Sequence, residues 1–213
     1  MAASASNPIL DKVRLALGRQ AGQPVLPRPP ILSARPAGET NAELDLLCKE
    51  INALSGSAQR MSQDGLDAAL FNLVDMQQVR RATLWQTPFL QELGLAERLL
   101  KLHVEVISPN ASKQALGACD LGVTEVDFAL PETGTLGLLS SPEKRRSISL
   151  VPRVHLAVLR SSALRADLHQ VFAEAKSAPY LIFITGPSRT SDIELTLTLG
   201  VHGPQALYVW AFD

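Results

Sequence analysis

The chain has 213 residues, of which 46% are hydrophobic and 19% charged, so it can bury a full core and is not disordered throughout. Its net charge is −1 and its pI about 6.4, leaving no basic footprint for nucleic acid or an anionic membrane. No apolar run approaches the roughly 18 residues of a membrane span, and Cys48 and Cys119 are too few for a disulfide framework or an iron–sulfur cluster.

The N-terminal MAASASNPIL lacks the cationic start and apolar stretch of a secretory signal, so the cytoplasm is the expected compartment. Ser6 or Asn7 can cap a short helix running to Arg19, with Pro8 in its first turn and Ile9, Val13 and Leu17 at helical spacing. Pro24, Pro27, Pro29, Pro30 and Pro36 then mark an extended, semi-rigid linker. Residues 1–40 therefore read as an appendage, a helix on a tether that packs on a neighbouring subunit, and residues 41–213 as the globular domain.

Leu44, Leu47, Ile51 and Leu54 form the stripe of an amphipathic helix. Gly65–Phe71 and Ser112–Cys119 read as short helices, Ala82–Trp85 as a strand, and Val104, Val106 and Ile107 as another. The basic run 144–146 reads as a solvated loop. Short apolar strands follow at Phe128–Leu130, Leu136–Leu139, Ser147–Val151, His155–Leu159, Tyr180–Thr185 and Leu207–Trp210, with a helix at Ser162–Ala175. The expected fold is α/β, a mixed sheet flanked by helices, because several connections are too short for parallel crossovers.

Three segments carry chemistry. Glu132, Thr133, Gly134 and Thr135 lie between two apolar runs, where Gly134 permits a sharp turn and close approach of backbone amides to a ligand. A plain turn with satisfied hydroxyls accounts for the same residues equally well. Thr185, Gly186, Ser188, Arg189, Thr190 and Asp192 follow a strand, and Ser191 to Glu194 forms an S-x-x-E box that would start a helix to Leu199. A helix start here would aim free amides at an anion, with Arg189 as the fork that holds a carboxylate. In Gly200–Pro204, His202 sits between small residues and can act as acid, base or donor. His155 is equally consistent with a buried structural histidine. No metal-ligand spacing, P-loop, dinucleotide fingerprint or nucleophile elbow occurs.

The stretches VTEVDFALPETGTLGLLSS (Val123–Ser141), RRSISLVPRVHLAVLR (Arg145–Arg160) and FITGPSRTSDIELTLTLGVHGPQALYV (Phe183–Val209) together resemble the lactate-utilisation protein C family, whose members consist of a LUD domain. Pro131 departs from the alanine its relatives often carry. The resemblance implies a fold like the ribose-phosphate isomerase and CoA-transferase group. It also implies a part in oxidising L-lactate to pyruvate beside two iron–sulfur partner proteins, with the clusters on the partners and no cofactor on this chain. On that reading Arg189 holds a small carboxylate substrate and His202 or Glu132 accepts the proton of the 2-hydroxyl. Two alternatives are an acyl- or CoA-transferase with Glu132 as nucleophile and a non-catalytic scaffold or metabolite-sensing subunit.

Overall fold

A computed structural model describes residues 8–20, 23–24, 35–191 and 197–213. The chain divides into two compact units, 1–33 and 34–213. In the first, helix α1 (Pro8–Ala16) exposes Ile9, Leu10, Val13 and Leu15. Its expected caps, Ser6 and Asn7, and most of the proline-rich tether fall outside the described residues.

The larger unit opens on α2 (Thr40–Ala53), whose first amides are capped by the Glu39 carboxylate through Asn41 and Ala42. Leu44, Leu47 and Ile51 are fully buried, as their spacing demands. Leu54 ends the helix rather than extending its buried stripe.

Six strands form one sheet: β1 (Ser57–Arg60), β2 (Arg81–Leu84), β3 (Glu105–Ile107), β4 (Leu121–Glu125), β7 (Val154–Arg160) and β11 (Ala206–Phe212). Their order is β1-β11-β7-β4-β2-β3, and every pairing is parallel. The helices α3 (Leu66–Met76), α4 (Pro88–Glu92), α5 (Leu95–Lys101) and α6 (Lys113–Gly117) make the crossovers that parallel strands require. The short connections belong elsewhere. β5 (Phe128–Leu130), β6 (Thr135–Ser140) and β8 (Tyr180–Ile184) form a separate antiparallel sheet with α8 (Leu168–Glu174) leading into it. Parallel and antiparallel strands thus segregate into separate sheets within an α/β fold.

Three local expectations are corrected. Residues 147–151 are not a strand but a single helical turn, α7 (Ser147–Leu150), which packs on β4 and β7. A short Ser-Ile-Ser-Leu segment suits either geometry, and here the bare Gly122 on β4 leaves room for the helical turn. An alanine Cβ at that position would lie 1.9 Å from the Ile148 carbonyl oxygen, so the bare glycine is what lets α7 settle on the sheet. The helix expected from Ser191 to Leu199 is not found at its described ends, and residues 192–196 lie outside the described residues. Arg189–Ser191 (β9) and Leu197–Leu199 (β10) pair antiparallel, each with a β-branched threonine at its centre, Thr190 opposite Thr198. The basic run is not a solvated loop either. Lys144 pairs with Asp127 at 2.5 Å, Arg145 donates to the carbonyls of Pro109 and Ala111, and Arg146 stacks on Tyr180.

Candidate functional site

Two cavities share Phe183 as a wall, and most of the residues singled out in the sequence line one or the other. The first, of about 270 Å³, lies where α7 meets the starts of β7 and β11. Ser149 and Leu150 come from α7, His155 and Leu207 from the sheet, Thr185 to Ser188 from the loop after β8, and His202 to Pro204 from the loop before β11. Two backbone hydrogen bonds clamp these loops together: the Ser188 amide donates to the Pro204 carbonyl and the Gly200 amide to the Ser188 carbonyl, each at 2.9 Å. Gly203 completes the contact, since a Cβ there would stand 3.1 Å from that of Ser188. Thr185, Gly186, Ser188 and His202 are therefore neighbours. The cavity sits at the N-terminal ends of parallel strands, opposite the edge that open α/β sheets generally use. At that carboxyl edge a larger cavity, about 590 Å³, runs along the ends of β2 and β3 past Trp85, Gln86 and Ser108. It contains none of the sequence-predicted residues.

The second shared-wall cavity, about 440 Å³, holds Glu132, Thr133 and Thr135 beside Asp167, His169 and Phe172. The two are bridged by a line of hydroxyls. Thr133 Oγ1 donates to Thr135 Oγ1 at 2.8 Å, and Thr135 Oγ1 lies 2.8 Å from Thr185 Oγ1. The register Leu136↔Ile184 is what sets the two threonines side by side. The structure thus joins the two threonine segments while placing Glu132 and His202 in different cavities.

Gly134 and Gly186 both have positive φ, +59° and +87°, as sharp turns require. Their close approach is to helix α2. A Cβ on Gly134 would lie 2.8 Å from the Ile51 nitrogen, and one on Gly186 2.8 Å from the Leu54 carbonyl oxygen. Gly186 also lines the 270 Å³ cavity, and both glycines seat their loops on the helix. Arg189 does the same. Its guanidinium donates to the Leu54 carbonyl and lies 3.3 Å from the Ser55 hydroxyl, a cation answering the negative end of α2. It does not line the 270 Å³ cavity. Thr190 lies in β9 with its side chain outside the described residues, and Asp192 is outside them altogether.

Sequence reasoning missed Arg35. Its guanidinium grips Glu43 through two bonds of 2.8 and 2.5 Å, donates to the Ala166 carbonyl, and stands 3.4 Å from Glu132. The Arg35 hydrogen bond holds the Glu43 carboxyl below its usual range against the opposing effect of burial, and the Gly38 amide adds to it. Nothing in a proline-rich stretch marks one arginine as this anchor. Glu132 itself is 59% exposed.

His155, which the sequence leaves open between a buried structural histidine and a site residue, is both buried and in the cavity wall. It is 1% exposed, and Nε2 sits 2.9 Å from Thr124 Oγ1 on the adjacent strand β4. Burial pushes its pKa down to about 3, so the ring is neutral. Burial also raises the thiols of Cys48 and Cys119, which lie on α2 and just after α6. Among the described residues no group of three or more His, Cys, Asp or Glu could hold a metal ion, and no helix is long and apolar enough to cross a membrane.

Comparison with known proteins agrees with this fold. The lactate utilization protein C of Halalkalibacterium halodurans is 31% identical over 182 residues, covering 80% of this chain and 79% of its own length. That of Shouchella clausii is 31% identical over 179 residues, covering 79% and 78%. A crystal structure of a DUF162 family protein from Deinococcus radiodurans superposes with a TM-score of 0.61 at 20% identity, covering 83% of this chain and all of that one. The LUD domain profile matches residues 43–210, and the chain belongs to the LUD domain family.

Proposed function

We propose that this chain works in lactate utilisation, as the substrate-handling subunit of an L-lactate-oxidising system that includes two iron–sulfur partner proteins. The names of the relatives supply the pathway. The observation that carries the assignment to this chain is the 270 Å³ cavity at His202. Drug-sized ligands fill roughly 300–1,000 Å³, so the space suits an acid of a few carbons and not a dinucleotide. Its walls combine the apolar Leu150, Phe183 and Leu207 with the polar Thr185, Ser188 and His202, a match for a methyl group at one end and oxygens at the other.

Oxidation of lactate to pyruvate releases two protons and two electrons. On this reading His202 takes the hydroxyl proton, a role that exposure to solvent supports because the ring can pass the proton on. Ser188 and Thr185 orient the acid. Two separated cysteines are too few for a cluster, so as the C2–H bond breaks its proton passes to solvent and the two electrons leave, one at a time, to the partners' iron–sulfur clusters. Arg189, held by the end of α2, stabilises the loop that bears Ser188.

The test is reconstitution of the chain with its two iron–sulfur partners, following the bleaching of cluster absorbance on adding L-lactate. Bleaching that needs this chain and falls sharply in His202→Ala supports the proposal. Bleaching at full rate without the chain removes it.

A second reading, acyl transfer through Glu132, draws on the half-exposed carboxylate at the edge of a cavity walled by Leu130, Leu168, Phe172 and Phe183. There the carboxylate would attack a thioester carbonyl, forming a mixed anhydride as the CoA thiolate leaves. A covalent adduct on Glu132 after incubation with acyl-CoA, seen by mass spectrometry, would favour it over lactate chemistry.

A further inference from the structure

One side chain in the wall of the His202 cavity is buried with a ring nitrogen unused. His155 Nδ1 has no hydrogen-bond partner among the described residues, although the residue is 1% exposed. Its cross-strand neighbours are Gly122 and Leu207, neither of which offers a side-chain acceptor. Two of the cavity's hydroxyls have partners of their own: Ser149 donates to the Arg146 carbonyl at 3.0 Å, and Thr185 is paired with Thr135. An unpaired polar atom in such a place is costly to the fold. It becomes intelligible when the cavity is filled by a molecule that completes the bond.

We propose that His155 is a ligand-binding residue of this cavity, whose Nδ1–H donates to an oxygen of a small carboxylate or carbonyl compound while the Thr124 hydroxyl donates to Nε2. Thr124 Oγ1 donating to Nε2 leaves the proton on Nδ1, the arrangement an acceptor oxygen needs. Burial keeps the ring neutral through the physiological range, so this donor neither titrates nor brings a charge into the cavity. His202, exposed on the opposite loop, is left to move protons, and the two histidines divide orientation and proton transfer between them. The inference rests on the proposed function for the identity of the acid, and on the cavity alone for the contact.

The experiment is ¹⁵N NMR of the histidine rings in the full chain at neutral pH, titrated separately with L-lactate, pyruvate, acetate and inorganic phosphate, with affinities measured in parallel. The wild type should show a protonated Nδ1 on His155 that shifts on saturation. His155→Leu, similar in bulk and without a donor, should weaken binding about tenfold or more. His155→Asn, whose amide takes the place of Nδ1, should stay within a few-fold of the wild type. Thr124→Val should retain the fold and lose about two- to fivefold, because Nε2 loses the hydroxyl that orients the ring. If lactate or pyruvate binds while His155 stays unmoved and His155→Leu binds normally, this inference is overturned and the lactate reading stands. If only acetate or phosphate shifts His155, the contact stands and the lactate reading falls. If no compound moves His155, the inference is overturned.

Discussion

Replacing Gly122 by alanine puts a methyl carbon 1.9 Å from the Ile148 carbonyl oxygen, 3.0 Å from the carbonyl carbon and 3.1 Å from Pro152 Cγ. Real Cβ contacts essentially never fall below 3.0 Å, and the offending atom is backbone, so relief requires α7 to lift off the sheet by about 1 Å. The helix is not free to do so, because Trp85 Nε1 donates to the Arg145 carbonyl at 3.0 Å just before it. Overpacking of this kind costs about 1–3 kcal/mol, whereas the smaller entropy of an unfolded alanine chain returns only about 0.4–1 kcal/mol. The clash wins, and for a chain of this length each kcal/mol lowers Tm by about 2–4 °C. A fall of roughly 2–8 °C is expected in a thermal melt. Because α7 carries Ser149 and Leu150 into the cavity wall, ligand affinity should fall with it. A Gly122→Ala protein that melts within about 1 °C of the wild type, with unchanged binding, would refute the view that this glycine seats α7 and shapes the cavity.

Arg189→Ala should cost about 1 kcal/mol of stability through the lost contact with the end of α2 and weaken carboxylate binding only a few-fold, through the loop that bears Ser188; affinity lost about a hundredfold with an unaltered melt would restore Arg189 as the carboxylate clamp. Arg35→Leu should destabilise the fold by about 3 kcal/mol in urea titration, since it strands the buried Glu43 carboxylate. Glu43 has its folded pKa lowered, so its contribution is present above the ordinary carboxylate range and lost as pH falls through the depressed value. Arg35→Leu should abolish that part of the acid sensitivity. His155, with a folded pKa of about 3 against 6.5, likewise stabilises above pH 6.5 and loses that contribution as pH falls toward 3. Stability measured between pH 4 and 6.5 should rise less steeply with pH in His155→Leu than in the wild type, and an equal slope would place the ring in contact with water.

Much of this was legible where local pattern and tertiary demand agree. Leu44, Leu47 and Ile51 define a helix stripe and are fully buried, and the strands β5, β6 and β8 follow apolar runs punctuated by turns. β4 escaped notice although it is central to the sheet, because Gly122 interrupts its pattern for the benefit of a helix about 25 residues away in sequence. The same bare glycine leaves room for the helical turn at 147–150, which no local signal distinguishes from a strand. β1, with Ser57, Gln59 and Arg60, carries almost no apolar signal and pairs on one side only. Within the site, the loops bearing Thr185, Ser188 and His202 stood out because small and polar residues there have no core to serve. Arg189 stood out for the same reason, yet its partner is a helix end contributed by residues 54 and 55, which spacing along its own segment does not reveal. Glu132 and His202 read as candidates for one site; the register of β6 and β8 does join their segments at Thr135 and Thr185, yet the two side chains line separate cavities.

The most direct test of the cavity at His202 is calorimetric titration of the purified full chain with L-lactate and pyruvate, with wild type beside His202→Ala and Glu132→Gln. Saturable binding of either acid, weakened about tenfold or more in His202→Ala and unaffected in Glu132→Gln, is the expected result. Binding that survives His202→Ala and is lost in Glu132→Gln would contradict it and move the site to the cavity beneath Arg35.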